Sequence, residues 1–230
     1  MDYFTESLSA ALHLIVALDA EVYLVVWTST MISLAAVAIA ALLGLPLGVV
    51  TAIYEFPGKR LFLQLLNTLM AIPTVVVGLF LYGILSRQGP LGELGLLYTP
   101  TAIVIGECFL IAPIIWNLSI SAAVNTDPRL AATCDAFGAT WWQRVMTYAH
   151  EARQGLVAAV VIGFGRAIGE VGIAMMLGGN IEGFTRTMTT AIALETSKGE
   201  FELALALGIL LLCIAFTINI ILQRINTASK

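Results

Sequence analysis

Val22–Tyr54 reads VYLVVWTSTMISLAAVAIAALLGLPLGVVTAIY, a run without one charged side chain. As a helix it would be ~50 Å long, well beyond the ~30 Å hydrocarbon core of a bilayer. It reads as a membrane-spanning helix that must tilt, bend or protrude, and Gly44-Leu45-Pro46 is the expected bend. The whole chain agrees with this reading: 59% of its residues are hydrophobic and 11% charged, and mean hydropathy is +0.94. Soluble domains carry about 25% charged residues. The apolar runs are continuous rather than alternating in ~10-residue segments, which excludes a β-barrel. The fold class expected is all-α and polytopic.

Outward from that run, residues 1–21 place Asp2, Glu6, Asp19 and Glu21 around Leu8, Leu12, Ile15 and Val16. This is an amphipathic helix expected to lie at the interface. No Lys or Arg precedes Lys59, so the basic start of a cleavable signal peptide is missing. Further spans are expected at about 61–85, with Pro73 inside, and at 98–120, interrupted by Glu107 and Pro113. Two more are expected at 155–178 and 203–223, with an acidic loop at 179–202. Five spans put the two termini on opposite sides. With residues 121–153 assigned to the cytoplasm, Lys59, Arg60, Arg129, Arg144, Arg153, Arg224 and Lys230 fall inside, against Arg87, Arg186 and Lys198 outside. That bias follows the positive-inside rule and predicts the N-terminus outside and the C-terminus inside.

Residues 121–153, SAAVNTDPRLAATCDAFGATWWQRVMTYAHEAR, form the one long polar island. Asp127-Pro128 has the form of a helix start, a capping oxygen followed by proline at the first helical position. Leu130, Cys134, Phe137, Trp141, Val145 and Tyr148 recur at spacings of three and four, which predicts one apolar face. Gly138 in the middle of that pattern predicts a sharp turn between two short helices, since mid-helix glycine costs about 1 kcal/mol relative to alanine. Such a segment either docks a soluble partner or simply joins two spans.

This island resembles the cytoplasmic loop of type I ABC importer permeases, in which a coupling helix plugs into a cleft on the ATPase subunit. Gly138 takes the place of the loop's glycine. Ala132 stands where the family has glutamate, Thr133 and Cys134 where it has two alanines, and His150-Glu151 where it has leucine-proline. Met70-Ala71-Ile72-Pro73-Thr74-Val75-Val76-Val77-Gly78, Gly89-Pro90-Leu91-Gly92 and Gly163-Phe164-Gly165-Arg166-Ala167-Ile168-Gly169-Glu170-Val171-Gly172 resemble signatures of the molybdate, sulfate and tungstate permeases. His150-Glu151-Ala152-Arg153, Gly178-Gly179-Asn180-Ile181 and Leu194–Phe201 are similar to the tungstate-uptake branch. The resemblance covers residues 22–225, the expected type-1 permease domain. It implies a homodimer in the plasma membrane of a prokaryote, importing tungstate or molybdate with an ATPase inside and a substrate-binding protein outside. It also implies that Leu130, Ala132, Phe137, Gly138, Ala139 and Trp141 couple to the ATPase. Another oxyanion, such as sulfate or phosphate, or a proton-coupled carrier are the rival readings.

Three charges fall inside apolar spans: Glu107, Arg166 and Glu170. Each costs at least ~2.5–3.5 kcal/mol at a helix centre. Arg166 and Glu170 are four apart, which puts them on one helix face, and all three fall at similar depth. They form either a structural lock between helices or an attraction for an oxyanion in transit. Gly163, Gly165, Gly169 and Gly172 are expected to make a small face, either for helix packing or as a wall of the pore or the dimer seam. There is no G-x-x-x-x-G-K-[S/T] loop, no second histidine to make a zinc helix with His150-Glu151, and no nucleophile set. Cys108, Cys134 and Cys213 are too dispersed for a metal or disulfide framework. No catalysis, cofactor, metal or nucleic-acid binding is expected of the chain, and lipid is its surrounding.

Overall fold

The computed structural model describes residues 2–227, and among them there are helices and no strands. The helices are α1 (Asp2–Val16), α2 (Ala20–Ile53), α3 (Lys59–Met70), α4 (Thr74–Leu85), α5 (Pro100–Val124) and α6 (Arg129–Ala136). After them come α7 (Trp141–Glu151), α8 (Arg153–Ile168), α9 (Met188–Lys198) and α10 (Phe201–Thr227). A 3-10 turn occupies Gly92–Leu94 and a π-helical turn Ala174–Gly178.

Local chemistry sets the ends. The Asp19 carboxylate accepts from the N–H groups of Glu21 and Val22 at 3.0 and 3.2 Å, which starts α2. At its other end the Lys59 ammonium donates to the carbonyls of Tyr54 and Ala52 at 3.0 and 3.4 Å and pairs with Glu55 at 2.9 Å. Thr99 caps α5, with Pro100 at its first turn.

Among the described residues, three single helices are long and apolar enough to cross a bilayer: Ala20–Ile53, Pro100–Val124 and Phe201–Ile221. The expected second span is instead a broken one. α3 and α4 meet at 96° across Ala71-Ile72-Pro73, because proline cannot donate to the helix ladder and its predecessor is driven out of helical geometry. The expected bend at Gly44-Leu45-Pro46 does not break α2, nor do Glu107 and Pro113 interrupt α5. The two glycines of α2 serve contact instead. A Cβ at Gly44 would lie 3.0 Å from Ile115, and one at Gly48 only 2.3 Å from Ser119 and 2.9 Å from the Trp116 carbonyl.

The fourth expected span, 155–178, also breaks. α8 ends at Ile168 and the chain leaves helical geometry through Gly169–Val171 before the π turn. The acidic loop expected at 179–202 contains a helix, α9, whose Thr187, Thr189 and Thr190 are buried. Its polarity is locally satisfied: Thr187 and Thr190 cap each other, and the Met188 N–H donates to Ser29 at 2.6 Å. Nor do the glycines of the fourth span share one face. A Cβ at Gly163 would meet Ile115 at 2.9 Å, whereas one at Gly165 would meet nothing. α1 forms as expected and packs along α10.

Neighbour contacts fix helix directions. Gly44 lies against Ile115 and Gly48 against Ser119, so α2 and α5 run parallel. Gly155 lies against Ala122 and Gly163 against Ile115, so α8 runs opposite to them. The end of α2, the end of α5, α7 and the start of α8 therefore share one end of the bundle, where Val49, Ala123, Val145 and Ala152 form a buried cluster. Arg186 lies at the other end, paired with Glu21 at 3.2 Å.

Gly48→Ala is expected to destabilise the purified protein by about 1–2 kcal/mol, because overpacking outweighs the helix-propensity gain of alanine. Gly83→Ala, in open space on α4, should be neutral or stabilising. Thermal midpoints in one detergent check the pair, and equal shifts would contradict the close contact.

Candidate functional site

The polar island folds as a helix–turn–helix with the turn at Gly138, whose φ is +61°. A residue with a side chain is strained there and glycine is not. The Asp127 carboxylate accepts from the Arg129 N–H at 2.8 Å and α6 starts at Arg129, one residue after the expected first helical position. α7 starts with a reciprocal cap: Thr140 N–H donates to Gln143 Oε1 at 2.8 Å and Gln143 N–H to Thr140 Oγ1 at 3.4 Å. An Arg144–Asp135 ion pair ties α7 to α6.

The single apolar face expected across this segment is two faces, because the turn rotates α7 away from α6. Cys134 and Val145 are buried, with Val145 set among Val49, Ala123 and Ala152 of the bundle. Tyr148 packs beside them, and burial pushes its phenol up from the ordinary value. Phe137 points the other way and is 86% exposed, with Trp141, Trp142 and Met146 also exposed. The rings of Trp141 and Trp142 lie 4.8 Å apart. Among the other candidates, Ala132 is exposed at the surface of α6, Gly138 is exposed at the turn, and Leu130 and Ala139 are half-buried. Trp142 and Met146 escaped the sequence reading. Splitting the heptad-like pattern at Gly138 would have exposed their i, i+4 spacing as a separate outward stripe.

The charged residues of the spans come together incompletely. Arg166 Nη1 lies 2.7 Å from Glu170 Oε2. Glu170 sits in the break after α8, so the pair closes across a helix end and not along one helix face. Its other oxygen accepts from the Ile173 N–H at 3.2 Å, and its backbone carbonyl accepts from the Thr189 hydroxyl at 2.6 Å. Glu170 thus satisfies backbone groups that the break would leave open. Glu107 is 2% exposed. From the antiparallel register of α5 and α8 it lies level with the break, beside Ser33 of α2. Its Oε2 has no partner, and no ion pair joins it to Arg166 among the described residues. Arg166 is the accessible member, its side chain 39% exposed.

A bundle with two broken spans and an aromatic-tipped loop at one end matches known proteins over most of its length. The family model of binding-protein-dependent transport system inner membrane components matches residues 44–229. The chain belongs to that family. Within it, this permease is 41% identical to the tungstate uptake system permease protein of Peptoclostridium acidaminophilum over 98% of this chain and 99% of the other. It is 38% identical to the tungstate uptake system permease protein of Campylobacter jejuni, over 98% and 95%. In fold the permease is similar to a chain of the inward-facing MetNI methionine ABC transporter, with a TM-score of 0.74 and 18% identity over 93% of this chain and 98% of the other.

Removing one partner of a fully buried ion pair costs about 3–5 kcal/mol, and solvent reaches this pair through Arg166, so Arg166→Ala is expected to cost about 2 kcal/mol. Arg166→Ala combined with Glu170→Gln should recover most of that loss, since the amide oxygen still accepts from Ile173 and no buried charge is stranded. Thermal unfolding of the single and double variants checks this; a double variant no more stable than the single one contradicts it.

Proposed function

We propose that this permease imports an oxyanion, tungstate first and molybdate next, as the membrane subunit of an ABC importer. The observation that carries the substrate is the full-length identity with two tungstate uptake permeases. A binding protein outside delivers the anion, two copies of the chain enclose the pathway, and two ATPase subunits inside supply the energy. The N-terminus lies outside and the C-terminus inside. Lys59, Arg129, Arg144 and Arg153 support this side assignment, because the geometry gathers them at the loop end of the bundle.

The loop is the docking device. An exposed Phe137 with Trp141, Trp142 and Met146 around it is the composition of an interface anchor, in which a few aromatic side chains in a partner's pocket carry most of the binding energy. Leu130, Ala132, Gly138 and Ala139 shape the tip and its approach. The opposite face, through Val145 and Tyr148, is rooted on α2 and α5. Closure of the ATPase pair on ATP therefore moves these two helices together with the loop.

Three measurements test the reading. Purified complex reconstituted into vesicles should take up tungstate only with ATP inside and the binding protein outside; uptake without ATP would mean a carrier. Phe137→Ala is expected to weaken ATPase association by about 2 kcal/mol, roughly thirty-fold, with the permease itself as thermostable as before. A cysteine at Ala139 should cross-link to the ATPase in the assembled complex, and failure to do so removes the docking role.

A further inference from the structure

We propose that Asn67, held by Asn117, and Ser121 form an uncharged binding step for the oxyanion on the loop-end half of the spans, below Arg166. The proposal rests on the reading of the chain as an oxyanion importer.

Helix α3 carries Arg60, Gln64, Asn67 and Thr68 within an arc of about 100°, and all four are exposed. Asn67 lies about 12 Å along α3 from its first residue. An amide turned to acyl chains without a partner loses its hydrogen bonds to water with nothing in return, so this stripe faces water or protein. Helix α5 carries a second stripe, Asn117, Ser121 and Asn125, at successive fourth positions. The two stripes touch: Asn117 Nδ2 donates to Asn67 Oδ1 and lies 2.9 Å from Met70 Sδ. The amide N–H groups of Asn67 make no hydrogen bond among the described residues and remain as donors.

From this contact the α5 stripe descends into a groove of about 490 Å³ between α5 and α8, lined by Ser121, Asn125, Gln154, Ala158 and Ile162 among others. The groove opens at the loop end. In the other direction, one turn beyond Ile162, the same face of α8 presents Gly165, over which there is open space, and Arg166. From Arg166 toward the loop end, the open donors are the Asn67 amide and the Ser121 hydroxyl, because the N–H groups of Asn117 go to Asn67 and Met70 and those of Asn125 to Ser121. Two carboxylates, Asp127 and Glu151, line only the mouth, where an anion leaves rather than rests.

Neutral donors suit a transported anion. A hydrogen bond to a charged group replaces part of the hydration shell, and its modest net contribution does not trap the ion. Arg166, already paired with Glu170, adds attraction without a full unpaired charge.

The test uses the complex in vesicles with its ATPase and binding protein, and sodium tungstate as probe. Asn67→Asp and Asn117→Asp put a like charge in the passage. Each is expected to lower tungstate taken up per ATP hydrolysed by roughly ten-fold or more, while Gly83→Ala, in open space on α4, stays within about three-fold of the unsubstituted protein. Wild-type coupling in both Asp variants overturns the proposal. So does a loss of complex assembly in Asn67→Asp, which would make the amide contact a structural lock. If the unsubstituted protein imports no tungstate, molybdate or sulfate, the oxyanion reading itself fails and the binding step falls with it.

Discussion

Direct backbone contact between α2 and α5 is the constraint on which the rest of the molecule depends. Gly44 and Gly48 remove the side chains that would hold the helices apart, so Ile115, Trp116 and Ser119 meet bare backbone. Within lipid there is little hydrophobic drive to bring helices together, and close van der Waals fit takes its place. The contact fixes α2 parallel to α5, and α8 then packs antiparallel on α5 through Gly155 and Gly163. The loop between α5 and α8 inherits its position from this arrangement, since Val145 and Ala152 are buried against Val49 of α2 and Ala123 of α5. A force applied at the tip meets two helices already packed as one body.

That arrangement explains why the loop can be both exposed and ordered. Its outward face is more apolar than a solvated loop tolerates, yet its conformation is held by the Thr140–Gln143 cap, the Asp135–Arg144 pair and the left-handed Gly138. A surface held ready in this way loses little side-chain and backbone freedom when a partner covers it.

Much of this was legible in the sequence because the signals are strong and local. The charge-free run of α2, the cap at Asp127 and the out-of-place Gly138 gave a span and a helix–turn–helix without any tertiary information. What the sequence hid depends on neighbours. Pro46 and Pro73 look alike on paper; α2 passes through the first because it is packed along α5, and the chain turns by 96° at the second. The threonines of 187–190 read as loop because the partners of the Thr189 hydroxyl and of the Met188 N–H are invisible until Glu170 and Ser29 are placed beside them. Arg166 and Glu170 suggested an intact helix face, but the carboxylate belongs to a break and holds the N–H of Ile173. Glu107 was expected to join that pair; the register of α5 puts it at the right level but in contact with Ser33.

The central claim is that the loop and the α2–α5 pair move as one body when ATP binds. Electron–electron spin distance measurement between labels at Thr147 on α7 and Leu42 on α2 tests it directly. Both sites are exposed, and the measurement needs Cys108, Cys134 and Cys213 replaced by alanine and one labelled protomer per complex. The account predicts the same distance with and without ATP, while labels at Thr147 in the two copies of the proposed dimer change their separation. A change in the Thr147–Leu42 distance within one protomer, at the step where the complex switches, would contradict it.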